Sequence, residues 1–161
     1  MILGIGVLLV TVTQAQSYEI NFTGIDFDGH NQNVDYYYPT AGGYVYQPTS
    51  IGNLYAPVHF PVSASGLRVS RFSVTYYDFN AAGYVRVELY KKDRWNGGTT
   101  LVAQLQSSAA GNSSSIQFMN LPKSQMTATG IDNNRYAWFM LLYFSDNGSS
   151  LRLHQVTIRY E

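Results

Sequence analysis

Strict alternation between apolar and polar side chains is the feature of this sequence that most limits its fold. Between Tyr84 and Tyr90 every second side chain is valine or leucine, and the side chains between them are charged or tyrosine. This period-two pattern is typical of a strand with one buried face, and it recurs along the chain. No window of useful length keeps apolar residues at the spacing of an amphipathic helix. The sequence therefore predicts an all-β protein with almost no helix.

Turns rich in glycine and asparagine, such as Asn96-Gly97-Gly98, separate these short segments. Regular short strands joined by such turns indicate a single antiparallel β-sandwich of jelly-roll or Greek-key type. One domain over residues 16–161 accommodates all of them. The predicted strands are Tyr18–Phe22, Asp35–Tyr38, Gly43–Gln47, Leu54–Phe60, Leu67–Asp78, Tyr84–Lys91, Leu101–Gln106, Ser115–Leu121, Tyr136–Phe144 and Leu151–Tyr160.

Two predicted strands, Leu67–Asp78 and Leu151–Tyr160, change their apolar phase by one residue near the middle. The change falls at Ser70-Arg71 in the first and at His154-Gln155 in the second. A β-bulge explains both, because one extra residue re-phases the side chains and keeps the apolar set on the core. A turn at each place is the alternative. We expect the two strands to occupy corresponding or adjacent positions.

Two further strands carry information about their place in a sheet. Leu54–Phe60 contains Pro57 and is followed by Pro61, and because proline cannot donate to a ladder we expect an edge strand there. Tyr136–Phe144 is apolar in both phases. That pattern favours a central strand covered on both faces, and one side of an interface is the alternative.

Residues 1–15 have the pattern of a secretory signal peptide. The apolar run from Ile2 to Val12 is too short to span a membrane, and Thr13-Gln14-Ala15 follows as a small-x-small cleavage site. No lysine or arginine precedes the run, which departs from the usual signal. The alternative is a retained strand that is donated to a neighbouring subunit. Cleavage after Ala15 predicts a protein that is secreted or held at the cell surface.

Charge and cysteine content exclude several function classes. Lys plus Arg and Asp plus Glu are both 10 in number, so no net field favours nucleic acid or anionic membranes as partners. Cysteine is absent, which excludes disulfide scaffolds, thiolate metal sites and cysteine nucleophiles.

Catalytic motifs are not visible in the sequence. The histidines His30, His59 and His154 are scattered singly, and no Gly-x-Ser-x-Gly motif is present. Glu88 lies beside Arg86 on the polar side of its strand, which fits a solvated cross-strand charge better than half of a catalytic acid pair. We expect no enzyme, and a small secreted hydrolase is the alternative.

The polar segment from Ile25 to Asp35 is the one candidate for a metal site. Asp26 and Asp28 share one strand phase and would be the first calcium ligands, with Asp35 and loop carbonyls completing the shell. The spacing of an EF-hand is missing. The alternative is an asparagine- and aspartate-rich loop whose side chains bond their own backbone. No other cofactor is predicted.

Aromatic side chains are the candidates for ligand binding. Tyrosine occurs 14 times, and rings with hydroxyl tips suit both sugar rings and protein contacts. Trp95 lies in a predicted turn, where an exposed tryptophan is a candidate surface anchor. Cross-strand pairing of outward tyrosines is the structural alternative. The candidate ligand-binding residues are Tyr44, Tyr46, Tyr84, Tyr90 and Trp95.

Four segments, Tyr55–Pro61, Val69–Asp78, Val85–Tyr90 and Leu151–Tyr160, together resemble a group of exported bacterial β-rich proteins of uncharacterised function. The resemblance implies export and a sandwich fold, and it implies no activity.

The sequence thus predicts a non-catalytic exported β-sandwich that acts through its surface as a structural, adhesive or self-assembling subunit, for example of an extracellular matrix or a filament. A glycan-binding module is the alternative, in which the candidate aromatic residues stack on sugars. The expected partners are other protein subunits, including further copies of the chain, or surface glycans.

Overall fold

A computed structural model describes residues 16–29, 43–48, 52–107 and 113–161. Within these residues the chain forms two antiparallel sheets and three short 3-10 helices at Gly24–Asp26, Val62–Ala64 and Lys123–Gln125. The prediction of an antiparallel β-sandwich with almost no helix is confirmed. The strands are β1 (Tyr18–Thr23), β2 (Asp28–Gly29), β3 (Asn53–Val58), β4 (Val69–Asp78), β5 (Val85–Asp93), β6 (Thr99–Gln106), β7 (Gln117–Pro122), β8 (Tyr136–Phe144) and β9 (Leu151–Tyr160).

One sheet has four strands in the order β1-β9-β4-β7, and the other has five in the order β2-β3-β8-β5-β6. Strand β8 lies between β3 and β5, so its predicted central position is right, but the predicted cover on both faces is wrong because its outward phase is only half buried. The expected edge position of the Leu54–Phe60 segment is only partly right. Its strand β3 pairs on one side with β2, but β2 is two residues long and contacts only Leu54 and Tyr55.

Both predicted β-bulges are present, and their strands are neighbours. Strands β4 and β9 pair with register shifts between Val69 and Arg71 and between Thr75 and Tyr76, so Ser70 on β4 and His154 on β9 are the extra residues. Because each bulge re-phases its strand, Val69, Val74 and Ile158 all remain buried.

Alternate side chains of the two sheets meet in one core. The fully buried set includes Phe72 and Val156 from the four-stranded sheet and Leu89, Met140 and Leu142 from the five-stranded sheet. Burial of apolar surface at roughly 25 cal/mol per Å² is what stabilises such a layered fold, since no disulfide contributes.

A buried polar link joins the two sheets at one end of the sandwich. The Ser107 hydroxyl donates to Asp78 Oδ2 at 2.6 Å and accepts the Val85 N–H at 2.8 Å. The Asn80 N–H donates to the other carboxylate oxygen of Asp78 at 3.1 Å. Asp78 ends a strand of one sheet, whereas Val85 and Ser107 belong to strands of the other or follow them directly.

Some predictions differ from the structure or cannot be compared with it. The Gly43–Gln47 segment is not a strand, and its pairing with the described residues is the isolated bridge between Val45 and Leu153. The Asp35–Tyr38 strand, the N-terminal segment 1–15 and His30 lie outside the described residues, so the signal peptide and the donated strand stay predictions. No helix among the described residues has the length and hydropathy needed to cross a membrane.

Candidate functional site

The outward face of the five-stranded sheet carries a dense group of half-exposed aromatic side chains. The inward phase of β3, β5 and β8 is valine, leucine and other core residues, so the outward phase is free to carry rings and charges. We call this surface the aromatic face and define it by Tyr55, Tyr84, Arg86, Glu88, Tyr90, Phe139, Leu141 and Tyr143.

The register of three strands arranges the aromatic face in rows that run across the sheet. Neighbouring strands lie about 4.8 Å apart and successive outward residues about 6.8 Å apart, so three rows over three strands cover about 10 Å by 14 Å. The rows are Pro57, Phe139 and Tyr90; then Tyr55, Leu141 and Glu88; then Asn53, Tyr143 and Arg86.

Two ring pairs lie on the aromatic face. The rings of Tyr90 and Phe139 stack with centroids 5.3 Å apart and an angle of 12° between their planes. Tyr84 and Tyr143 form a second, tilted pair at 5.8 Å. The Arg86 guanidinium lies 5.0 Å from the Tyr143 ring centroid, within the range of a cation–π contact.

A carboxylate and a guanidinium lie between the two ring pairs. Glu88 is only 7% exposed, and its Oε2 accepts a hydrogen bond from the Tyr90 hydroxyl at 2.9 Å. Arg86 Nε lies 3.3 Å from Glu88 Oε1, but it has no hydrogen bond of good geometry. Burial and, to a smaller extent, the bond to Glu88 raise the pKa of Tyr90, so this hydroxyl keeps its proton at neutral pH. Glu88 is therefore buried and bonded to Tyr90, so the interpretation of a solvated charge was wrong.

The structure divides the predicted ligand-binding residues among three places. Tyr84 and Tyr90 belong to the aromatic face. Tyr44 and Tyr46 flank the bridge at Val45 and lie on the outward side of the four-stranded sheet, which is the opposite surface of the molecule. Trp95 lies in the turn between β5 and β6. These five side chains therefore do not form one site.

The cluster around Tyr44 is a second aromatic group. The Arg152 guanidinium lies 4.7 Å from the ring centroids of both Tyr44 and Tyr77. His154 packs 5.2 Å from Tyr44, and burial, followed by the charge of Arg152, lowers its pKa. A cation occupies the space between the two tyrosine rings, so their facing surfaces are already covered.

The turn that carries Trp95 is held by Asp93. The Trp95 N–H donates to Asp93 Oδ1 at 2.9 Å, and Arg135 binds Asp93 Oδ2 through Nε and Nη2, both at 2.9 Å. The hydrogen bond from Trp95 is the main cause that lowers the pKa of Asp93. Trp95 is 78% exposed, as expected for a tryptophan at a turn. The guanidinium carbon of Arg135 lies 5.4 Å from the centroid of the Trp95 ring.

The proposed calcium ligands are not assembled in the described residues. Asp26 belongs to a 3-10 helix instead of a strand, and its Oδ2 accepts the N–H and hydroxyl of Thr23 at 2.6 and 3.1 Å. Asp28 lies in β2, opposite Tyr55, and Asp35 lies outside the described residues. No group of three or more His, Asp or Glu side chains that fits a metal ion occurs among the residues described. Calcium binding stays a prediction.

Sequence reasoning missed half of the aromatic face. Phe139 and Tyr143 were assigned to a strand covered on both sides, yet their phase is only half buried. The signal was present, because an outward phase that is aromatic in a central strand needs either a covering layer or a ligand. His59 and His154 form no hydrogen bond to a serine within the part of the chain that the structure describes.

No protein-family model matches the chain, and no curated protein matches it. Among solved structures, the chain is similar to the C-terminal CBM6 of LamC, a marine laminarinase from Zobellia galactanivorans. The TM-score is 0.51 at 14% identity, over 88% of this chain and 98% of that one. It is also similar to the xylan-binding module CBM15, with a TM-score of 0.51 at 8% identity, over 89% of this chain and 97% of that one. At these identities the likeness shows the β-sandwich fold alone.

Proposed function

We propose that this chain is a glycan-binding module and that its aromatic face holds the glycan. The observation that carries the proposal is the stacked, half-exposed pair of Tyr90 and Phe139, with Glu88 and Arg86 in the adjoining rows. A pyranose ring has one apolar face of C–H groups and a rim of hydroxyls. Flat aromatic surface suits the ring face, and nearby charged groups suit the hydroxyls.

The likeness in fold supports the same class of ligand. The two similar structures named above are carbohydrate-binding modules by name, one of them from a laminarinase and one a binder of xylan. We infer that the ligand is a polysaccharide of that general kind. The zero net charge of the chain fits it, because a glycan partner needs no long-range electrostatic attraction.

The role expected first from the sequence, a structural, adhesive or self-assembling subunit, would require a protein interface. The aromatic face holds the rings and the arginine that such an interface also uses, so the preference for a glycan rests on the likeness in fold to two carbohydrate-binding modules. We also propose that the chain is exported, with residues 1–15 as a signal peptide, because polysaccharides of this kind lie outside the cell. N-terminal sequencing of secreted protein that begins at Gln16 would support this.

Affinity electrophoresis in gels that contain xylan, laminarin or another soluble β-glucan such as lichenan tests the binding proposal. Wild type should migrate more slowly in at least one polysaccharide gel than in a gel without it. Tyr90→Ala should weaken the binding by about tenfold or more, as expected for an aromatic residue at the centre of a contact.

Two matched variants separate the three aromatic places. Tyr44→Ala removes a ring from the outward side of the four-stranded sheet, and Trp95→Ala removes the exposed ring of the turn. Both should bind as wild type does. If Trp95→Ala loses binding and Tyr90→Ala keeps it, the glycan site is the turn and not the aromatic face. If none of the polysaccharides retains wild type, the proposal is contradicted.

A further inference from the structure

A cavity of about 270 Å³ adjoins the aromatic face where β3 ends and β8 begins. Two of its wall residues, Pro57 and Ala137, belong to the outward phase of their strands, and Pro57 pairs with Phe139 of the aromatic face. The cavity therefore continues the row of Tyr90 and Phe139. Its volume is slightly below the range of about 300–1,000 Å³ that holds drug-sized ligands, so it suits a single sugar unit.

Trp138, one of the residues that line the cavity, carries a buried polar group with no partner among the described residues. Trp138 is 4% exposed, and its Nε1–H makes no hydrogen bond among the described residues. The Trp138 ring is held in place by an edge-to-face contact with Phe60, with centroids 5.2 Å apart. A buried donor without an acceptor costs about 1–3 kcal/mol. An unpaired buried donor on a residue that lines a cavity is a reason to test whether a ligand in the cavity reaches it.

The charge around the cavity is positive. Arg94 lines it, and none of the described residues that line it is an aspartate or glutamate. The Arg94 side chain forms no ion pair or hydrogen bond with any described residue. Another wall residue, Tyr136, has the Lys91 ammonium 4.3 Å and the Arg135 guanidinium 5.2 Å from its ring centroid. The nearby carboxylate of Asp93 is already bound by Arg135. Arg94 and Lys91 thus remain without an anionic partner among the residues described.

We propose that the cavity binds an anionic sugar unit, with the Arg94 guanidinium as the partner of a carboxylate or a sulfate ester. A guanidinium pairs with either anion through two parallel N–H donors, and this geometry favours arginine over lysine. Tyr136 and Trp138 form the wall for the sugar ring. The inference deepens the proposed function and rests on it, since the anionic unit would be part of the glycan that lies on the aromatic face.

The indole signals of the protein give a direct test. The chain has two tryptophans, so its ¹H–¹⁵N spectrum should show two indole signals, and Trp95→Phe identifies the one from Trp138. Methyl β-glucuronide and glucose 6-sulfate are added separately, with methyl β-glucoside as the neutral control. We expect the Trp138 signal to shift with at least one anionic sugar and to shift much less with the neutral glycoside. The two anionic probes distinguish a uronate from a sulfate ester.

Arg94→Gln tests the role of the guanidinium, and Arg71→Gln is the matched control. Arg71 is exposed on the four-stranded sheet. Both variants replace an arginine by glutamine, so they change the net charge of the protein equally. Arg94→Gln should weaken binding of the anionic sugar by about tenfold or more, and Arg71→Gln should leave it unchanged. Equal shifts with neutral and anionic sugars, no shift with either, or an unaltered response in Arg94→Gln would each overturn the inference. Polysaccharide retention that depends on Tyr90 would survive all three results, so the two proposals fail separately.

Discussion

Removal of one hydroxyl, in Ser107→Ala, should destabilise the sandwich far more than its size implies. The Ser107 hydroxyl donates to the fully buried carboxylate of Asp78 and accepts the N–H of Val85. A hydrogen bond to a charged group contributes about 1.5–3 kcal/mol, and an unsatisfied buried N–H costs about 1–3 kcal/mol. We therefore expect a loss of about 3–5 kcal/mol from a domain whose total stability is of order 5–15 kcal/mol.

Urea unfolding followed by tryptophan fluorescence measures this loss as a lower midpoint with an unchanged slope. In a thermal scan the same loss lowers Tm by roughly 6–20 °C, at about 2–4 °C for each kcal/mol. Ser73→Ala is the matched control. Ser73 is also buried, but its hydroxyl makes only a 3.4 Å hydrogen bond to Asn120, so its loss should stay below about 1 kcal/mol.

A double-mutant cycle with Asp78→Ala tests whether the two side chains stabilise each other. The double variant should lose less than the sum of the single losses, by about 1–3 kcal/mol, because Asp78 no longer needs the Ser107 donor. The reasoning is refuted if Ser107→Ala costs no more than Ser73→Ala, or if the two losses simply add.

Three smaller changes test other parts of the structure. Tyr90→Phe should lower glycan affinity by no more than about threefold in affinity electrophoresis, because the ring remains and the hydroxyl is already bound to Glu88 within the aromatic face. A loss as large as that of Tyr90→Ala would mean that the hydroxyl contacts the glycan directly. Burial, and then Arg152, lower the pKa of His154, so the unfolded chain binds the proton more readily and stability falls as the pH drops through about 6.5. His154→Gln should therefore lose less stability than wild type between about pH 7.5 and 5.5 in urea unfolding, and an identical pH dependence in both proteins would contradict the cause assigned. In Gly24→Ala the added Cβ would lie 2.6 Å from the backbone nitrogen of Val45, so Tm in a thermal scan should fall by several degrees. Gly130→Ala is the control, because its added Cβ has nothing within 4 Å and should change Tm little.

The sandwich was accessible from the sequence because its signals are local. Alternation marks each strand, and a one-residue change of phase marks each bulge, so Ser70 and His154 were identified correctly before any pairing was known. The strand predicted at Gly43–Gln47 is absent from the structure although its local pattern is present. Its alternation is real, since Val45 is buried between half-exposed Tyr44 and Tyr46, but its pairing with the described part of the chain is the isolated bridge to Leu153 instead of a ladder.

The aromatic face was only partly accessible, because it depends on which strands are neighbours. Tyr84 and Tyr90 were recognised from the outward phase of β5 alone. Phe139 and Tyr143 join them only because β8 pairs with β5 in one particular register, and no local pattern specifies that pairing. For the same reason Tyr44, Tyr46 and Trp95 were grouped with Tyr84 and Tyr90, although they lie elsewhere on the molecule.

A crystal structure with an oligosaccharide, cut from whichever polysaccharide retains the protein, is the most direct measurement of where the glycan lies. We predict a sugar ring parallel to the Tyr90 and Phe139 rings, with a hydroxyl near Glu88 or Arg86. A ligand seated on the Trp95 turn, or against Tyr44 on the opposite sheet, would contradict the account.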